Sequence, residues 1–338
     1  MLNTKLPPMR PELIVCPFCE CRNRIGIHSH RQRRYICHAC DKTFAETVGT
    51  PFYGLKYPAW IVTLVLALLA GGCPLQAIVF AFGIDERTVM AWQVQAGQHA
   101  KQIQEQVVCQ GQVDLGQVQA DELYVKIQGA EVWMATAMCV FSRLFLWGAV
   151  SVHRDQTLIE QIIQHVRAAA QPHLPLLFAV DGLRSYVSAI LKVFRDPVPT
   201  GQRGRPRLVV WADLHIVQVV KHRVGQRLDS IERRVVHGAQ HAAEVIMQAT
   251  QVELGVINTA YIERLNATFR TWMPTLFRRT RAPARQVSHL EAAMFWMGCV
   301  YNFCRVHHTL ATAPAVAADL TDHVWTVNEL LRFRPRRV

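Results

Sequence analysis

Three carboxylates and four thiolates are the side chains of this 338-residue chain best placed to do chemistry. Asp121 falls in a β-rich segment, Asp181 closes a short apolar one, and Glu263 lies in a helical stretch. Clustered carboxylates hold hard divalent cations, which prefer oxygen ligands. A pair of such ions suits phosphodiester chemistry, one activating the attacking oxygen and the other stabilising the leaving one. Around Glu263 an apolar stripe of Ile262, Leu265, Phe269 and Trp272 borders a face that bears Glu263, Asn266 and Arg270. An acid, an amide and a guanidinium together are what metal and phosphate binding require. Two neighbours compete. Strand alternation turns Glu122 to the face opposite Asp121, so only one of the pair is expected as a direct ligand, and Asp121 is chosen. Asp213, expected inside an apolar strand over 209–217, competes with Asp181, which is preferred for its place at a strand end.

The thiolates form a second centre. Cys16-Pro-Phe-Cys19 and Cys37-His-Ala-Cys40 stand 17 residues apart, the spacing of a two-knuckle zinc ribbon closing a tetrahedron around one structural Zn²⁺. The segment 10–50 is too small to fold on its own apolar core, so a metal would supply the missing stability. Phe18, Tyr35 and Phe44 are placed to cover the site, and Arg31, Arg33 and Arg34 between the knuckles suit phosphate contact.

The elements that must position these groups follow from periodicity. Residues 59–100 read as three helices: an apolar one ended by Gly71-Gly72, one begun at Pro74, and one capped by Asp85 after the Gly83 turn. Leu75, Ile78, Val79 and Phe82 are the expected buried stripe of the second. This is the helix-turn-helix pattern, whose last helix would present Arg87, Thr88 and Gln93 to a DNA major groove. Strands are expected over 118–127, 132–141 and 143–152, then a helix over 157–170 and a strand over 176–180. Three strands, a helix and a strand open a ribonuclease-H-like mixed α/β sheet, in which the middle of the first strand and the end of the fourth are neighbours. Further helices are expected over 185–194, 257–273 and 288–305, with strand-like pieces at 208–220 and 233–237.

Charge narrows the partner. The net charge of +12 is carried by residues 1–58 and 181–338, while the middle is slightly acidic. Basic flanks favour a polyanion, nucleic acid before membrane. The longest apolar run, 59–70, is too short to span a bilayer, and residues 1–13 lack the apolar segment of a secretory leader. Paired C-x-x-C motifs rather than a disulfide framework point to a reducing, cytoplasmic setting.

CPFC…CHAC, QADELYV, FAVDGLRSY, NTAYIERLNATFR and YNFCRVHHTL…TAPAVAADLTDHVW together resemble the insertion-sequence transposases of the DDE superfamily, closest to the insertion-sequence-one-like group. The resemblance runs from Cys16 to about Leu331. It implies a zinc ribbon (10–50), a helix-turn-helix (56–110), a ribonuclease-H-like catalytic domain (115–285) with an insertion near 196–240, and a C-terminal helical tail (286–338). It makes Asp121, Asp181 and Glu263 the triad for two Mg²⁺ or Mn²⁺ ions, supported by Asn266 and Arg270. The implied activity frees 3′-OH groups at terminal inverted repeats and joins them to target DNA, within a homodimer or larger synaptic complex. Arg203 and Arg205 then have the form of a minor-groove hook, and Arg278, Arg279 and Arg281 could clamp phosphates. A non-catalytic DNA-binding regulator and a nuclease of the same fold are the alternatives.

Overall fold

The computed structural model describes residues 9–199, 201, 204–225, 227–250, 255–277 and 284–335. Strands β1 (Ile25–Ser29), β2 (Arg34–Cys37) and β3 (Thr43–Ala45) form an antiparallel sheet over a small core of Cys16, Tyr35, Cys37 and Phe44. Helices α1 (Ala59–Ala70), α2 (Leu75–Phe82) and α3 (Glu86–Ile103) follow. Gly83, at φ 63, ends α2 in the left-handed conformation that glycine adopts without strain. The Asp85 side chain then accepts the Arg87 N–H and starts α3. Of the stripe expected to bury α2, only Ile78 is fully enclosed, while Leu75, Val79 and Phe82 are half-buried.

A mixed six-stranded sheet carries the rest. Its strands are β4 (Gln117–Ile127), β5 (Ala130–Cys139), β6 (Phe145–Ser151) and β7 (Leu176–Val180), with α4 (Gln156–Ala169) between the last two. After α5 (Arg184–Val193), strands β8 (Arg195–Val198) and β9 (Arg207–Val210) pair with each other alone. Strands β10 (Leu214–Val224) and β11 (Arg227–His237) complete the large sheet in the order β11-β10-β7-β4-β5-β6. The stretch near 196–240, expected as one insertion, thus divides, because β10 runs parallel to β7 inside the main sheet. Helices α4 and α5 cover one face; α6 (Gln240–Thr250), α7 (Ala260–Trp272) and α8 (Val287–Cys299) cover the other. The short α9 (Pro314–Ala317) and α10 (Val327–Arg332) close the described chain. No helix among the described residues is long and apolar enough to cross a membrane.

Helix α8 does not trail from the fold as a tail. Leu290 and every residue from Ala292 to Cys299 are buried, because α8 lies between α3 and β6. The Trp296 indole donates to the Leu66 carbonyl of α1 at 3.0 Å. Gln104 and Asn302, each in a π-helical turn, both donate to the Phe145 carbonyl, at 2.7 and 2.8 Å. One apolar core consequently runs from α1 through the sheet to Leu331.

The α3–α8 crossing is closest at Gly97, where a Cβ atom would stand 2.1 Å from the Ala292 carbonyl oxygen. Alanine should raise helix propensity by about 1 kcal/mol, yet overpacking against backbone costs about 1–3 kcal/mol or more. Gly97→Ala is expected to lower the thermal unfolding midpoint, and an unchanged or raised midpoint would show that the helices can part freely. His99, two residues on, is buried and its Nε2–H donates to the Leu330 carbonyl at 3.2 Å. Burial lowers its pKa from 6.5 to about 4. Between those values the unfolded chain binds a proton that the folded chain refuses, so stability is full above the unfolded pKa and falls as pH drops towards 4. The loss should reach about 3 kcal/mol at most, and denaturant melts from pH 7 to 4 should be flatter in His99→Gln.

Candidate functional site

Among the described residues, two groups of metal-competent side chains stand in separate parts of the molecule. In the first, Cys16 Sγ lies 3.7 Å from Cys40 Sγ and Cys19 Sγ 3.6 Å from Cys37 Sγ. All four sulfurs lie within 4.8 Å of one another. A tetrahedron with metal–sulfur bonds of about 2.3 Å has edges of about 3.8 Å, so the four fit one tetrahedral ion. Phe44 packs between Tyr35 and Phe18, with ring centroids 5.8 and 6.3 Å away, tilted to the first and edge-on to the second.

The second group arises where β7 stops. Strand β7 pairs in parallel with β4 from Gln117↔Leu177 to Gln119↔Ala179 and ends at Val180. Carried two residues further, that register sets Asp181 level with Asp121. Both then face the side covered by α6 and α7, with Gln119 and Ala179. From Asp121 to Lys126, β4 is paired, among the described residues, with β5 alone, which leaves its other edge without a strand there.

The open edge admits Glu122 as well. Its carboxylate starts on the α5 face, where Tyr186 Oη donates to it at 3.2 Å and Arg154 Nε at 2.9 Å. Its oxygens nevertheless lie within 4.8 Å of those of Asp121 and Asp181. Alternation favours Asp121 over Glu122 as the direct ligand, and the structure brings both carboxylates to the cluster. Alternation sets where a side chain leaves the strand, and with no neighbouring strand beyond Val180 a glutamate can turn around the edge. Arg154 joins the group from the loop after β6, its Nη2 standing 3.6 Å from Asp181 Oδ2.

Helix α7 is fixed to this edge by polar contacts. The Gln119 side chain accepts the Ile262 N–H at 2.9 Å and donates to the Asn258 carbonyl at 2.6 Å, tying down the first turn. One turn on, Asn266 Nδ2 donates to Asp121 Oδ2 at 2.9 Å, and its Oδ1 accepts from Thr136 Oγ1 at 3.0 Å. Thr136 thereby orients the amide so that its NH₂ faces the carboxylate. Burial pushes the Asp121 carboxyl above its ordinary range, and the Asp181 charge adds to this against the Asn266 amide. Burial raises Glu122 too, opposed by Arg154. Three carboxylates against one guanidinium leave uncompensated negative charge in a half-buried setting. A divalent cation with oxygen ligands suits that donor set.

Other expected residues are placed differently. Glu263 is not among the three clustered acids; it is ion-paired with Lys221 of β10 and accepts from Thr259 Oγ1 at 2.8 Å. Arg270 is half-buried, and its guanidinium makes no hydrogen bond or ion pair among the described residues. Asp213 is not inside a strand: it lies in the turn before β10, and its carbonyl accepts from Leu176 N at the far end of β7.

The expected DNA contacts also divide. Arg33 is bound by Glu46 through both carboxylate oxygens, and Arg34 donates to Thr43 Oγ1 at 2.8 Å. Arg31, Arg87 and Arg205 are exposed, whereas Thr88 and Gln93 are half-buried. Arg203, Arg278, Arg279 and Arg281 lie outside the described residues. Sequence reasoning missed Arg154, Tyr186, Thr136 and Lys221, whose types carry no local signal.

No protein-family model matches the chain, and no curated protein does.

The small core of β1–β3 is separate from the main one. Cys37→Ser is therefore expected to abolish binding of one thiophilic ion per chain. Hydrogen exchange should accelerate throughout β1–β3 and remain slow in β4 and β5. Unaltered exchange in β1–β3 would show that the thiols do not hold this sheet together.

Proposed function

We propose that the chain is a DNA transposase of the DDE type, with a zinc ribbon and a helix-turn-helix ahead of a ribonuclease-H-like catalytic sheet. The observation that carries the reading is the proximity of the carboxylates of Asp121, on β4, and Asp181, the residue after the adjacent parallel strand β7, with the α7 amide of Asn266 on Asp121. The sheet order, three antiparallel strands followed by two parallel ones with an extra antiparallel edge, supports the same fold. In this reading the cysteine cluster holds Zn²⁺, and α1–α3 read the terminal inverted repeats.

Asp121, Glu122 and Asp181 would hold Mg²⁺ or Mn²⁺, which when bound supplies charge neutralisation at the scissile phosphate and a more acidic attacking water or hydroxyl. The chain's own residues prepare that place. Asn266 holds the Asp121 carboxylate in one orientation, and Thr136 holds Asn266. Arg154 opposes the burial that raises the Glu122 pKa and spans the gap to Asp181. Tyr186, buried and with its pKa driven far up by burial and the nearby acids, remains a hydrogen-bond donor to Glu122. Glu263, one turn before Asn266, adds its charge to Asp121 from beside the cluster. Two ends must meet for joining, so a homodimer or larger complex is the working assembly.

The test is Mn²⁺-dependent cleavage and joining of DNA carrying the gene's native flanks. Wild type should yield joined product, Asp121→Asn and Asp181→Asn none, and Asn266→Ala about 10–100-fold less, the usual effect of removing a group that orients a metal ligand. Cutting without joining would indicate a nuclease. Binding with neither reaction would indicate a regulator.

A further inference from the structure

Four basic side chains gather, with no acid paired to them, where α7 meets the β5–β6 turn and the segment after α8. Arg143 occupies the turn in the left-handed conformation, at φ 59. The residue is nine-tenths buried and its guanidinium is centred 4.0 Å from the Tyr261 ring, with Nη1 donating to the Val140 carbonyl. Arg264 is exposed and 5.9 Å from the same ring. His307 is half-buried beside them; burial lowers its pKa, and the charges of Arg143, His308 and Arg264 push the same way. The Tyr261 hydroxyl is buried and has no hydrogen-bond partner. Among the described residues no carboxylate pairs with any of the four bases.

Two costs coincide at Arg143. A left-handed backbone is unfavourable for a residue with a Cβ atom, and a buried cation without a counter-charge is more so. The fold nevertheless sets a second arginine, Arg264, and the imidazole of His307 near it instead of an acid. The missing counter-charge therefore has to come from a bound anion, and guanidinium groups match phosphate in shape as well as charge. Helix α7 carries Arg264 and Tyr261 of this group as well as Asn266, so the same helix that is tied to Asp121 borders the basic group. A nucleic-acid strand lying at the carboxylates can reach both.

We propose that Arg264, His307 and His308, backed by Arg143, hold a backbone phosphate of the DNA strand bound at the carboxylate cluster. This rests on the DNA reading of that cluster. The test uses the full chain and a fluorescently labelled duplex with the native flanks, with Mg²⁺ and Mn²⁺ omitted so that binding is read without cleavage. Affinity is measured by anisotropy across a salt series. Each phosphate contact contributes about 0.9 to the slope of log affinity against log salt. Arg264→Gln should reduce the slope by about one, and Arg264→Lys should restore it. Arg143→Gly keeps the turn, since glycine accepts that φ, and should weaken binding several-fold at moderate salt. Lys192→Gln, on the opposite face of the sheet and paired with Glu160, serves as the control and should bind as wild type does. A wild-type slope in both Arg264→Gln and Arg143→Gly overturns the site and leaves the proposed reaction standing. A lost slope in Arg264→Gln, with no Mn²⁺-dependent cleavage by wild type, overturns the reaction and keeps the site.

Discussion

The seam of hydrogen bonds between β4 and α7 is the constraint on which the rest of the site depends. Gln119 and Asp121 leave the same face of β4, two residues apart, and each takes a partner from α7. Gln119 fills an orphan N–H of the first helical turn, which would otherwise be buried and unsatisfied. Once that turn is fixed, the helical rise brings Asn266 to Asp121 without further choice. Thr136, opposite Asp121 on β5, settles which way the amide points. Backbone register, helix geometry and one hydroxyl thus define the position of a single carboxylate.

The electrostatics build on that geometry. Asp121 and Glu122 are desolvated, and Asp181 raises the pKa of both. An isolated cluster of this kind would relieve itself by taking up protons. Arg154 opposes that at Glu122, and the Asn266 amide opposes it at Asp121. The result is a set of acids kept ready to ionise at an open strand edge, a poor arrangement for stability and a useful one for holding a cation. Other charged groups are neutralised by a neighbour: Glu46 occupies Arg33, and Lys221 occupies Glu263.

How much of this was legible in the sequence depended on whether a residue's role is set by its own element. Strand alternation and helical spacing located β4–β7, α3 and α7, and the Asp-Gly ending of a buried strand marked Asp181. The cysteine spacing marked its cluster for the same reason. The approach of Glu122 to the cluster was not legible because alternation describes one strand, while its reach depends on where the neighbouring strand stops. Asp213 was misread because an apolar run on both sides hides the turn that separates β9 from β10. The pairing of Glu263 with Lys221 joins elements far apart in sequence, and periodicity in either one says nothing about it. Helix α8 carried too little polarity to show a face, which is what burial between α3 and the sheet requires.

That burial bears on how the proposed DNA-reading helices relate to the carboxylates. Helix α3 begins at the Asp85 cap and ends against α8, where Gly97 lets the two backbones meet. Helix α8 in turn packs on β6, two strands from β4. Gln104, just past α3, and Asn302, just past α8, both grip the same Phe145 carbonyl at the start of β6. A rotation of α1–α3 about the sheet would have to open this contact and strand polar groups in apolar surroundings. The exposed start of α3 and the Asp121 edge are therefore parts of one rigid frame. In the proposed reading, an enzyme that cuts at a fixed distance from a recognised sequence would use that frame to set the distance.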